Sequence, residues 1–273
     1  TRADLSTPIA TTDAALHNYF SLVKPTSTAA VSATAKVRAV RRALVERPEG
    51  SLPIVATASA HTAGGRGGAD HYLHIPKGPI LRRHVAGLDP YLNDIWALRV
   101  SGADLRGILE HAARIYTSLV PGRTHQWLVD SRVPSFDFDT IFGLDYTIDP
   151  TRPIGQRITS LRYAGAVVMP EQPFVLATSQ FRVAGGGGYQ PAEKHQILPC
   201  APMPLSQALV PALNAPDGAA LPPVPWHLTC QSPTTAVLRT SPDARAVLEE
   251  LAGYAPQDLG IDGEGFLHLQ VTL

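Results

Sequence analysis

The sequence has no excess of either charge. Lys plus Arg and Asp plus Glu both count 23. A nucleic-acid polymer wants a basic face, so none is expected as partner, although one arginine and a pair of rings can still serve a single nucleotide. No run of 18 apolar residues exists, so no membrane span is expected, and no signal peptide is seen. HExxH and GxSxG are absent, and no base and orienting acid can be assigned to a serine nucleophile. No repeat or coiled coil is found. Cysteine is scarce: Cys200 and Cys230 enclose a proline-rich loop. Pairing them would restrict the unfolded chain by roughly 3–4 kcal/mol; the alternative is two unpaired buried thiols.

Proline and glycine are plentiful, at 25 and 22 residues. They favour turns and long loops over a helical bundle. At 44% apolar residues the chain can bury a substantial core, and 273 residues make one large domain or two small ones. The ten histidines are scattered. Their densest group is Asp70-His71-x-x-His74, and the acid–His–Asn clusters of a binuclear hydrolase are not seen. No catalytic residue and no metal ligand is therefore assigned to this chain.

Two glycine loops stand out. Phe174–Thr178 reads as a strand entering a core. Arg182 follows, then Gly185–Gly188 and an exposed-looking Tyr189. No GKS or GKT comes after, so this is not a phosphate loop of the usual kind. It is either a binding loop for a planar ligand or a wide turn. The second loop, residues 61–68, again sets one arginine, Arg66, among glycines. Tyr91 sits in the turn Pro90–Asn93. Each ring could stack on a base or cap the edge of the core.

The periodicity predicts an α/β chain, of the α+β kind, with a mixed sheet flanked by helices. Residues 1–27 read as an approach segment in which 16–23 form a short helix. Helices are expected at 28–47 and 103–116, the latter capped by Ser101 with Asp104 three positions on, and at 242–252 after Ser241-Pro242, with Gly253 closing it. Strands are expected at 52–60, 94–100, 144–149, 224–230 and at the alternating end 266–273, with a hairpin over 156–169. Residues 191–233 read as an irregular proline-rich region.

In order and spacing these motifs resemble a known family. They include ALHNYFSLV, LPIVATASAHTAGGRGG, LDPYLNDIWALRVSGADLRGILEHAA, FDFDTIFGLDYTIDPTRPIG and FVLATSQFRVAGGGGY, and they cover most of residues 16–190. The chain resembles the C-terminal domain of bacterial 2′,3′-cyclic-nucleotide 2′-phosphodiesterase/3′-nucleotidases, within the 5′-nucleotidase family. The resemblance implies a substrate domain over 28–273 that binds the nucleoside part of a nucleotide. It implies an N-terminal metallophosphoesterase domain in the same polypeptide, which holds two divalent metals and performs the hydrolysis. It also implies a periplasmic or cell-surface location, where pairing of Cys200 with Cys230 is favoured. By motif match, Tyr91 and Tyr189 sandwich the base about 7 Å apart, one ~3.5 Å contact on each side. Arg66 and Arg182 lie at the same opening, and Asn93, Asp137, Gly186 and Gly187 are further candidate contacts. Asp137 stands where the family has Asn, and Ser179-Gln180-Phe181 where it has Asn-Asn-Tyr. Alternatives are the substrate domain of a 5′-nucleotidase or UDP-sugar hydrolase, or a non-catalytic module for a sugar or protein.

Overall fold

The computed structural model describes residues 2–215 and 226–273. The chain opens with a short helix α1 (Arg2–Leu5), strands β1 (Pro8–Thr12) and β2 (Leu16–His17), and the long helix α2 (Ser27–Ala43). Next come β3 (Ile54–Ser59), β4 (His74–Ile75), β5 (Gly78–Leu81), α3 (Arg82–Leu88), β6 (Asp94–Ser101) and α4 (Gly102–Ala112). A β-rich stretch follows: β7 (Asp139–Phe142), β8 (Asp145–Ile148), β9 (Ile158–Tyr163), β10 (Ala166–Val167) and β11 (Pro173–Ser179). After it come α5 (Gln180–Val183), β12 (Met203–Pro204) and α6 (Leu205–Leu213). The described remainder holds β13 (Trp226–Leu228), β14 (Thr235–Thr240), β15 (Gln257–Ile261) and β16 (Leu267–Thr272).

The central sheet has five strands in the order β12-β6-β11-β3-β7. It is mixed, with β11 parallel to β3 and antiparallel to β6. Alternation along β11 divides the core in two. Phe174 and Leu176 face one cluster, with Leu105 and Leu109 of α4. Val175 and Ala177 face the other, with α2 and α6. On that second face the sheet offers Ala56, Ala58, Ala97 and Ala177, and α2 offers Ala30, Ala33 and Ala35. Small residues on both sides let helix and sheet approach closely, so α2 needs no stripe of large apolar residues.

Helix α4 starts as the sequence predicts. Ser101 Oγ accepts the Asp104 N–H at 3.2 Å, and Asp104 accepts the Ser101 N–H at 2.8 Å, a reciprocal capping box. Its far end is held by a wholly buried Arg157, which donates to the Ala113 and Tyr116 carbonyls, each at 2.8 Å. The Ala113 carbonyl also accepts the Tyr116 N–H at 3.3 Å in a closing 3₁₀ turn, and the guanidinium closes the helix end electrostatically as well.

A four-stranded sheet, β10-β9-β8-β13, and a three-stranded antiparallel sheet, β14-β16-β15, complete the body. Leu267, Leu269 and Val271 of β16 are buried in alternation. The three-stranded sheet is pinned to the body: Leu128 N–H donates to the Val237 carbonyl at 2.8 Å, and Thr240 Oγ1 to the Tyr19 carbonyl at 2.7 Å.

Four local expectations change. Residues 16–23 form β2 and turns rather than a helix. Tyr19, Phe20 and Val23 bury there in the core. Residues 205–213 form α6, although Pro211 lies inside it. The 242–254 segment is wound as 3₁₀ turns with a kink at Val247. Its end is a left-handed Ala255, not Gly253. Cys200 and Cys230 are free thiols, against the expected pairing. Cys200 packs beside the α2–α6 core, whereas Cys230 lies near Asp149, where burial pushes its pKa up to about 11. The part of the expected proline-rich region at 216–225 lies outside the described residues.

Candidate functional site

The glycine loop after β11 wraps a buried ion pair. Arg182 is 6% exposed and Asp139 1%. Arg182 Nε donates to Asp139 Oδ2 at 2.8 Å, and Nη2 donates to Oδ1 at 3.0 Å. This bidentate fork is the strongest arrangement the two groups can make. Arg182 also donates to the Phe136 and Gly186 carbonyls, the latter at 2.9 Å. Burial alone would lower its pKa, but the charge and hydrogen bonds of Asp139 hold it above the usual value. With its donors so occupied, Arg182 is a structural clamp, not the free anion contact expected.

Tyr189 belongs to the same clamp. It is 7% exposed, against the exposed ring expected. Its hydroxyl donates to the Asp137 carbonyl at 2.7 Å and accepts the Asp139 N–H at 3.3 Å. The His111 ring lies 4.1 Å from the tyrosine ring, and Arg182 Cζ sits 4.4 Å from its centroid. The run of glycines follows from this packing. Gly187 has φ +74°, and a Cβ there would fall on the Asp137 carboxylate and the Arg182 guanidinium. Gly186 lies against the Phe181 ring. Asp137 itself is turned toward Arg182, at 4.0 Å.

Tyr91 lies elsewhere. It is 56% exposed at the turn after α3, where Leu92 has φ +49°. Its ring meets the edge of His61 at 5.2 Å. It lines a cavity of about 560 Å³ whose other walls include Arg66, Tyr72, Trp127 and Phe136. Arg66 is exposed on the first glycine loop, with no hydrogen bond or ion pair among the described residues. That loop must start with glycine. Gly64 has φ +70°, and a Cβ there would come within 2.6 Å of the Tyr72 hydroxyl and 2.8 Å of Phe266. Burial, helped by the Lys36 charge, lowers the pKa of His61 to about 4. The imidazole beside Tyr91 is therefore neutral at pH 7, and its Nδ1 has no partner.

The structure thus brings Tyr91 and Arg66 together and sets Tyr189 and Arg182 apart. Tyr189 and Arg182 line a second cavity of about 530 Å³, with Asp139, His111 and Gln190. The clamp stands between the two cavities, since Phe136, whose carbonyl Arg182 holds, lines the first. Asn93 lines neither cavity; its carbonyl accepts the Leu205 N–H at 3.1 Å. Arg132, Arg239, Glu264 and Phe266 also line the first cavity. No local sequence signal marks them, because long-range pairing of Trp127 with Val237 brings β14 there. No group of three or more His, Cys, Asp or Glu among the described residues could hold a metal ion.

Comparison with known proteins bears on this arrangement. Residues 9–195 match the family model for the 5′-nucleotidase C-terminal domain. The chain is 25% identical over 298 aligned residues to the 2′,3′-cyclic-nucleotide 2′-phosphodiesterase/3′-nucleotidase of Yersinia enterocolitica, covering all of this chain and 46% of that protein. It is 28% identical over 195 residues to the trifunctional nucleotide phosphoesterase protein YfkN of Bacillus subtilis, covering 67% of this chain and 13% of that one. Among solved structures, the 5′-nucleotidase precursor of Thermus thermophilus superposes with a TM-score of 0.63 at 16% identity, over 85% of this chain and 41% of that one. The chain spans less than half of each of these proteins. By its fold and by the match over 9–195, it belongs to the 5′-nucleotidase C-terminal domain family.

Proposed function

We propose that this chain is the nucleoside-recognition domain of a metallophosphoesterase that hydrolyses 2′,3′-cyclic nucleotides and 3′-nucleotides. One observation carries the reading. An exposed ring, Tyr91, and a guanidinium with no partner among the described residues, Arg66, share the wall of one aromatic-lined cavity. A flat apolar face suits a base, and a free arginine suits a ribose hydroxyl or phosphate oxygen. The neutral His61 at the edge of Tyr91 steadies the ring without adding charge. The names of the relatives support the substrate class. Hydrolysis belongs to an N-terminal metallophosphoesterase domain carrying two divalent metals, for which the relatives' greater length leaves room. The role of this chain is to hold the nucleoside so that the ester bond meets that centre, a contribution of binding and orientation. The proposal includes an extracytoplasmic location, periplasm or cell surface, which fractionation of the source cells tests.

Two assays test the reading. With 2′,3′-cyclic AMP and manganese, the chain alone gives no turnover. A rate of about 1 s⁻¹ or more, ordinary for enzymes, overturns the assignment of hydrolysis to another domain. In calorimetric titrations, Tyr91→Ala weakens both adenosine and 3′-AMP, whereas Arg66→Gln weakens 3′-AMP more than adenosine. Unchanged affinities in both variants overturn the site.

A further inference from the structure

Building on the nucleoside reading above, we propose that Arg239 and Glu264 read the hydrogen-bonding edge of the base and make this site prefer guanine. Both residues belong to the C-terminal sheet, β14-β16-β15, and the turn before β16. That sheet lies outside the stretch matched to the family model, yet both side chains line the same cavity as Tyr91 and Arg66. The wall they form is fixed in place by the bonds from Leu128 to Val237 and from Thr240 to Tyr19.

The chemistry lies in what is left unspent. The guanidinium of Arg239 rests over the Phe266 ring, 4.2 Å from its centroid. Its Nη2 is bound to Asp262 Oδ2 at 2.8 Å and to Glu264 Oε2. Among the described residues its Nε is buried without a partner, and Nη1 takes part in no hydrogen bond or ion pair. Glu264 is 73% exposed on its side chain. Among the described residues only its Oε2 is engaged, leaving Oε1 free. The backbone N–H of Glu264 donates to Asp262 Oδ1 at 2.9 Å, which holds the turn. A free donor therefore stands beside a free carboxylate oxygen.

The charges decide what that pair suits. Arg239 is already matched by two carboxylates, so a phosphate placed there would meet net negative charge. A neutral group carrying both an acceptor and donors fits instead. Guanine presents O6, N1–H and the 2-amino group in a row: O6 takes the arginine donor, N1–H takes the free Glu264 Oε1, and the 2-amino group takes the second lone pair of Oε2, whose first holds Arg239 Nη2. Adenine offers N1 and its 6-amino group, one donor position fewer to the carboxylate. A charged hydrogen bond of this kind discriminates by roughly tenfold or more.

Titration of the chain with guanosine and adenosine, in wild type, Glu264→Gln and Tyr91→Ala, tests the inference. Glu264 is exposed in a turn, so its replacement leaves the fold standing. Wild type should bind guanosine about tenfold tighter than adenosine. Glu264→Gln should bring the ratio close to one by weakening guanosine, with adenosine held within about twofold. Tyr91→Ala should weaken both and keep the ratio. Equal binding by the wild type, or a ratio that survives in Glu264→Gln, overturns the guanine preference and leaves the nucleoside reading intact. Failure of both nucleosides to bind the wild type overturns both.

Discussion

Replacing Arg182 by leucine should unfold this protein more readily than almost any other single change, and through the core rather than through a ligand. The substitution strands the Asp139 carboxylate, which is 1% exposed and loses a two-bond partner at 2.8 and 3.0 Å. Breaking a buried ion pair from one side costs about 3–5 kcal/mol. The Gly186 and Phe136 carbonyls lose their donors too, which adds to the loss without summing simply. Against a typical stability of about 5–15 kcal/mol, roughly a fifth or more is gone. At about 2–4 °C for each kcal/mol in a chain of this size, Tm falls by roughly 10 °C. The double variant Arg182→Leu/Asp139→Leu removes the stranded charge and should be more stable than either single variant, because apolar replacement of a buried pair is often neutral or better. Urea unfolding followed by circular dichroism measures all four proteins. A loss below about 1 kcal/mol in Arg182→Leu, or single-variant losses that simply add in the double variant, would refute the clamp.

Three further outcomes follow from buried or constrained groups. His61 has its pKa lowered from 6.5 to about 4, so the unfolded chain takes up its proton first as pH falls. Up to about 3 kcal/mol is lost between pH 6.5 and 4, and His61→Gln should flatten that limb of a stability–pH curve. Lys36, on α2, is buried with its ammonium donating to the Thr57 carbonyl at 2.8 Å, and its pKa is lowered from 10.5 to about 8. The unfolded chain then holds the proton more firmly, so stability rises from pH 8 to 10.5, and Lys36→Met should be more stable than wild type at pH 7 by about 1–3 kcal/mol. Gly187→Ala should lower the urea midpoint by the equivalent of about 2 kcal/mol or more, since its φ is +74° and its Cβ falls on the clamp. Gly107→Ala in α4, where nothing lies within 4 Å of the new methyl, should raise it by up to about 1 kcal/mol.

Much of the fold was legible wherever the deciding contacts are local. The Ser101–Asp104 box starts α4 through backbone amides three residues away, and alternation along β16 maps directly onto burial. Helix α6 was hidden because prolines around it signal loops, while its stability comes from Leu205, Leu209 and Leu213 packing on the α2 side of the sheet. The site divided in the same way. The two glycine loops and Tyr91 are visible as unusual stretches. Tyr91 and Tyr189 look alike in sequence, since each follows a turn. Their difference comes from partners far away: Tyr189 finds the Asp137 carbonyl, fifty-odd residues off, and Tyr91 meets the edge of His61 and stays exposed. Arg239 and Glu264 reach the cavity only because β14 docks on Trp127.

A crystal structure of the chain soaked with guanosine 3′-monophosphate tests the central claim most directly. The account places the base on the exposed face of Tyr91, in the cavity shared by Arg66 and Arg239, with Tyr189 still bonded to the Asp137 carbonyl. A base seated instead against Tyr189 and His111 in the second cavity, with Arg182 released from Asp139 to meet the ligand, would contradict it.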